Sequence, residues 1–160
     1  MRVAIVAVGR LKAGPERELV ARYAERIGAA ARTAGLTGFD LRETDESRAR
    51  RAPDRKAEEA RAIRALLAPG AIVVMLDEAG ASLSSEAFAA RLGKARDAGA
   101  PAFTLVIGGP DGLDAELRAS AALTVSLGAM TMPHQLARVL AAEQVYRAIT
   151  ILTGHPYHRA

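Results

Sequence analysis

The chain has 160 residues and a net charge of +4; half of its residues are hydrophobic, 4% are aromatic, and there is no Trp. A chain of that length buries a core without a disulfide or structural metal, and Ala, Val, Ile and Leu must fill it. It has no Cys, which excludes a disulfide scaffold, a thiolate metal site and a Cys nucleophile. The basic balance suits a polyanion such as RNA, but only weakly.

Arg2 to Val8 is an apolar run bounded by Gly9. It is too short for the apolar region of a signal peptide and reads as a first strand. Glu16 to Ala34 has helical composition and ends at Gly35. Thr37 to Glu43 is a weaker strand candidate, and Asp45 to Pro53 is a charged loop. Asp54 caps a helix to about Leu67, closed by Pro69 and Gly70. Ala71 to Leu76 is a buried strand, and a helix from Ser84 or Ser85 to about Ala98 follows it. Ala102 to Ile107 is a second buried strand, Asp114 to Ala121 a short helix, and Leu123 to Leu127 a last strand. Gln135 to Leu152 is a long final helix stopped by Gly154 and Pro156.

Strands alternating with helices predict an α/β fold, a mostly parallel sheet with helices on both faces. No linker or repeat divides it, so 1–160 is expected to form a single domain. No apolar run reaches the roughly 18 residues of a membrane span, and a cytoplasmic protein with no membrane partner is expected. Ligands of such sheets gather at the carboxyl ends of strands. That rule points to Leu76-Asp77, to Gly108-Gly109 and to the segment after Leu127.

Four motifs carry chemistry. The run Ile107-Gly108-Gly109-Pro110-Asp111-Gly112-Leu113 follows a buried strand. Its glycines permit close approach of a ligand or serve a simple turn. It lacks the spacing of a phosphate-cradling or dinucleotide-binding loop. The run Ser126 to His134 is unusually apolar for a loop. It either packs against the protein, the commoner case, or lines an apolar pocket. The final helix is apolar around most of its circumference, which implies burial in a core or an oligomer interface. Arg138 shares a face with Ala142, Val145 and Ile149. A guanidinium there must snorkel to water or meet an anion, and general burial preferences favour snorkelling. Glu143 and Arg147 form an i,i+4 pair worth a few tenths of a kcal/mol if exposed. The tail, His155 to Ala160, concentrates groups that stack on bases and bind phosphate. His134, His155 and His158 have no nearby carboxylate cluster in sequence, so a metal site is not expected. Arg48, Arg50 and Arg51 read most simply as a solvated loop, with an RNA-backbone contact as a secondary reading.

Taken in order, several stretches closely resemble the RlmH family of SPOUT-class methyltransferases. They are Val6 to Lys12, Leu76-Asp77 with Gly80, Gly108-Gly109-Pro110 with Gly112-Leu113, and Thr131 with Pro133-His134-Gln135. Arg138-Val139, Glu143-Gln144 with Tyr146-Arg147-Ala148, and His155 to Arg159 complete the set. The resemblance covers nearly the whole chain. It implies methylation of N3 of a pseudouridine in a 23S rRNA stem-loop, on the large subunit or the assembled ribosome. It also implies S-adenosylmethionine (SAM) as donor, a homodimer and a C-terminal trefoil knot. By position it assigns SAM contacts to Leu76, Gly108, Leu127, Gly128, Ala129, Met130, Thr131 and Met132.

Methyl transfer from a sulfonium needs in-line alignment and loss of the N3 proton, but no metal. Tyr157, His158 and Arg159, with Arg138 and His134, are the expected holders of the base. His158 is the best proton acceptor by type; arginine could instead stabilise the anion. The tail is far in sequence from the SAM loops, so a site shared between two subunits is expected. A noncatalytic ribosome-binding module and a metal-dependent hydrolase built on the three histidines are the rival readings.

Overall fold

The computed structural model describes residues 1–158. Its strands are β1 (Arg2–Val8), β2 (Gly38–Thr44), β3 (Ile72–Ser82), β4 (Ala102–Ile107) and β5 (Leu123–Ser126). Its helices are α1 (Pro15–Ala31), α2 (Ala52–Leu66), α3 (Ser85–Asp97), α4 (Ala115–Ala119) and α5 (His134–Thr153). The sheet order is β2-β1-β4-β3-β5, and every pairing is parallel. The expected α/β architecture is therefore present.

Both faces of the sheet are covered, which is why β1 and β4 read as continuous apolar runs rather than alternating ones. Val3, Ile5 and Ala7 point into a core shared with Ile27 of α1, Leu92 of α3 and Val145 of α5. Val6 and Val8 point the other way, against Ala60 and Ile63 of α2 and Leu117 of α4. The longest helix, α5, packs on α1 and α3. Leu136 and Leu140 of α5 remain 45% and 39% exposed. The apolar girth of α5 thus serves the core on one side and is uncovered on the other.

β3 departs from expectation. The apolar stretch ends at Leu76, yet the strand resumes and continues to Ser82. Leu76 and Ala81 both pair with Val125, so Asp77 to Gly80 bulge out between two legs of one strand. Asp77 stabilises the bulge by accepting the Ala79 amide at 2.9 Å. Gly80 is demanded by a close approach: a Cβ there would lie 2.5 Å from the Val125 carbonyl carbon. α1 also stops earlier than its composition suggests. The Leu36 amide closes on the Ala31 carbonyl at 2.9 Å, with Gly35 left-handed at φ 70°.

Candidate active site

The bulge of β3 after Leu76 and the carboxyl ends of β4 and β5 open onto a cavity of about 880 Å³. Its wall brings together Leu76, Gly108, Leu127, Gly128, Met130, Thr131, Met132 and His134. The three strand ends selected by the sheet rule thus converge on one space. Ala129 lies in the same loop but not in the wall. The loop after β5 is only partly packed against the protein: Gly128 to Thr131 are exposed, Met130 to 85%, while Leu127 and Met132 are half-buried and line the cavity.

Charge gathers at the rim. Asp77 and Glu78 of the β3 bulge line the cavity, as do Lys56 of α2 and Arg118 of α4. Arg118 pairs with Asp77 at 3.3 Å. Of Gly108, Gly109 and Gly112 in the loop directly after β4, only Gly112 has a positive φ. Gly109 sits in a crowded place instead: a Cβ would meet Glu59 Oε2 and Val8 Cγ1, each at 3.0 Å. Glu59 is buried and accepts the Ser47 amide at 3.0 Å. Burial pushes its carboxyl above the usual range, and the Ser47 amide opposes the shift.

Arg138 corrects the expectation of snorkelling. It is 1% exposed and does not line the cavity. Its Nη1 donates to Glu43 Oε1 at 2.7 Å, and its Nη2 donates to the Val8 carbonyl. The physical reason is topological. β1 and β2 end side by side, Val8 opposite Thr44, so a carboxylate and a strand-end carbonyl both face α5. Glu43 Oε1 also accepts the Leu11 amide at 3.0 Å. Arg138 thereby fixes α5 to the ends of β1 and β2. His134, one turn earlier, keeps its place in the cavity wall, with Nε2 3.8 Å from Glu46 Oε1.

Through residue 158 the tail folds back on α5 and α3. The Tyr157 hydroxyl donates to Glu143 Oε1 at 3.1 Å, and its ring packs on Tyr146 with centroids 4.7 Å apart. The Arg147 guanidinium lies 5.1 Å from the centre of the Tyr157 ring. Burial, with the Glu143 carboxylate nearby, holds the Tyr157 phenol well above its ordinary pKa. Glu143 also binds Arg147 at 2.7 Å, so that pair is part of a network rather than a solvated i,i+4 contact. His158 Nε2 lies 3.1 Å from Glu86 Oε1. Neither Tyr157 nor His158 lines the cavity of its own chain. Arg159 lies outside the described residues.

Sequence reasoning missed Glu43, the Asp77–Glu78 bulge and the buried Glu59. It also missed a second cavity of about 290 Å³ behind Leu127, lined by Ser82, Ser85, Phe88 and Gln144 among others. Ser85 Oγ donates to Gln144 Oε1 across its edge at 2.8 Å. The histidines do not assemble: His134 faces Glu46, His158 faces Glu86, and His155 Nδ1 accepts the Tyr157 amide. Among the described residues no three potential ligands form a metal group.

Residues 1–158 match a family model described as a predicted SPOUT methyltransferase. The chain belongs to the SPOUT methyltransferase family. Within the family it is similar to proteins named ribosomal RNA large subunit methyltransferase H. The one from Methylocella silvestris is 60% identical over 159 residues, covering 99% of each chain. The one from Beijerinckia indica is 56% identical over 160 residues, covering all of both. These matches place the chain in the RlmH family. A solved structure, the SpoU methyltransferase AviRb from Streptomyces viridochromogenes in complex with AdoMet, aligns with 90% of this chain and 56% of its own. Its TM-score is 0.41 at 15% identity. Among the described residues no helix is long and apolar enough to cross a membrane.

Proposed function

We propose that this chain methylates N3 of a pseudouridine in a 23S rRNA stem-loop of the large subunit or assembled ribosome. SAM is the donor and no metal takes part. The relatives' names support large-subunit rRNA as the substrate class. The observation that carries the reading is the single cavity wall formed by Leu76, Gly108, Leu127, Gly128, Met130, Thr131 and Met132, which with Ala129 are the residues this family resemblance assigns to SAM.

The cavity suits that donor. Its size falls in the range of roughly 300–1,000 Å³ usual for small-molecule sites. Leu76, Leu127 and Met132 offer apolar surface to an adenine ring, and Gly108 and Gly128 leave backbone groups within reach. The Asp77 and Glu78 carboxylates match a cationic amine and sulfonium. When bound, SAM supplies an electrophilic methyl group. The chain supplies orientation, exclusion of water, and a place for the N3 proton.

His134 is the histidine that lines the cavity of its own chain, and it is suited by type to accept a proton. Tyr157, His158 and Arg159 are assigned to the site of a second copy, in a homodimer, because Tyr157 and His158 of one chain do not line its own cavity and Arg159 adjoins them in sequence. The uncovered Leu136 and Leu140 of α5 support such a dimer. A trefoil knot over the C-terminal half and a cytoplasmic setting belong to the same reading.

The test is methyl transfer from labelled SAM to ribosomes from a strain lacking the enzyme, with the modified nucleotide mapped. Label at N3 of one pseudouridine is the expected result. RNA binding without SAM affinity would instead favour a noncatalytic ribosome-binding module. Label at another base would place the chain with a different RNA target.

A further inference from the structure

The loop between β2 and α2 carries Arg48, Arg50 and Arg51, all exposed. None of the three forms an ion pair with a described residue. The nearby acids are mostly engaged elsewhere. Asp45 pairs with Arg10 at 2.6 Å, Glu58 accepts the Ser47 hydroxyl, and Glu59 is buried. Asp54 and Glu46 are the remaining exposed acids of the segment.

This loop is not free to wander. Arg55 grips Asp111 in a bidentate pair, Nε to Oδ2 at 2.5 Å and Nη2 to Oδ1 at 2.9 Å. Its Nη1 donates to the carbonyls of Ala49 and Arg50, at 3.1 and 3.0 Å. One guanidinium thus ties the arginine loop to the glycine loop after β4, and both Asp111 and Lys56 line the cavity. Ala52 and Pro53, which follow Arg51 directly, line the cavity, so the backbone that carries the three arginines is tied to its rim.

We propose that Arg48, Arg50 and Arg51, with Lys56 at the cavity edge, form a phosphate-docking strip for the substrate RNA. Arg55–Asp111 sets its distance from the reacting base. The assignment rests on the functional reading above. Guanidinium groups are suited to phosphate because their planar fork matches its oxygens, and such contacts position a nucleic acid without reading its sequence. Two of the cations flank the glycine-loop latch in the chain, so docking of the backbone and presentation of the base become one geometric event.

The test compares three proteins for affinity to an rRNA stem-loop fragment across a salt series. They are the wild type, the Arg48→Gln/Arg50→Gln/Arg51→Gln triple variant, and a charge-matched Arg32→Gln/Arg61→Gln/Arg64→Gln control. The control arginines are exposed and outside the cavity wall. SAM affinity of each, by calorimetry, reports on folding of the cavity. The triple variant should keep its SAM affinity, lose RNA affinity, and show a log–log salt slope shallower by about two to three. Equal slopes and affinities for the triple variant and the control overturn the strip while leaving the functional reading intact. A wild-type chain with no salt-dependent affinity for the RNA overturns the functional reading, and the strip with it.

Discussion

Arg138 and Glu43 stand 95 positions apart in sequence and 2.7 Å apart in the fold. Arg138 is almost wholly buried, so its charge depends on that partner and on the Val8 carbonyl. Removing one member of a buried pair strands the other, at about 3–5 kcal/mol. Glu43→Ala and Arg138→Ala should each destabilise by that order in urea unfolding. The double variant Glu43→Leu/Arg138→Met should recover much of the loss. Singles within 0.5 kcal/mol of wild type would show that the pair is not needed.

Gly80 crosses the backbone of Val125 too closely for any side chain. Gly80→Ala must push the second leg of β3 off β5 or distort the bulge, at a cost of about 1–3 kcal/mol or more. The bulge carries Asp77 and Glu78 into the cavity wall, so SAM affinity measured by calorimetry should fall as well. Unchanged stability together with unchanged SAM binding would refute both halves of this expectation.

Glu59 sets a pH dependence. Its folded pKa lies above its unfolded one because burial disfavours the charge. Its contribution to stability is therefore complete below the unfolded pKa and is lost as pH rises through the folded value. Glu59→Gln retains an acceptor for the Ser47 amide and removes the charge. The variant should exceed wild type in stability at about pH 8, with the gap closing toward about pH 4. A variant less stable than wild type at the alkaline end would contradict the sign.

Tyr157 should stay protonated at any pH used for assay, since burial and Glu143 both hold its pKa up. In an ultraviolet titration, Tyr157→Phe should remove the most alkaline tyrosine transition. If it removes the earliest one instead, the phenol is not held as described. The tail's place across the dimer has its own test. Mixing a subunit lacking residues 155–160 with a Leu127→Glu subunit should restore part of the methyltransferase activity. No recovery in confirmed heterodimers would assign the site to one chain. His158→Ala should slow single-turnover transfer, and an unchanged rate would free His158 of the role of base.

Asp111→Asn should weaken the grip of Arg55 on the glycine loop. Trypsin should then cut sooner at Arg48, Arg50 or Arg51, without a matching drop in global stability. Cleavage at the wild-type rate would show that the Ala49 and Arg50 carbonyl contacts hold the loop alone.

Much of this architecture was legible because it follows from local pattern. Continuous apolar runs such as Ala102–Ile107 mark strands covered on both faces, and the carboxyl-end rule picked out Leu76, Gly108 and Leu127 before any geometry. What stayed hidden depends on distant partners. Arg55 and Asp111 are 56 positions apart, and no spacing announces them. Asp77 to Ser82 is polar and glycine-bearing, so it reads as a loop; only its contact with Val125 makes it strand. Arg138 looked like a surface arginine on a core face because Glu43 sits at the end of a strand whose alternation is partial.

β1 has a consequence for synthesis. One of its edges is paired by β2, which begins at Gly38, but its other edge waits for β4, where Arg2 meets Ala102. At roughly 5–20 residues per second, about 3–13 s separate those events on the translating ribosome. Throughout that interval a strand apolar from Val3 to Val8 presents an open edge, the feature that recruits chaperones or promotes aggregation. Nascent chains stalled before Ala102 should leave β1 open to protease, with protection arriving only after Ile107 has cleared the exit tunnel.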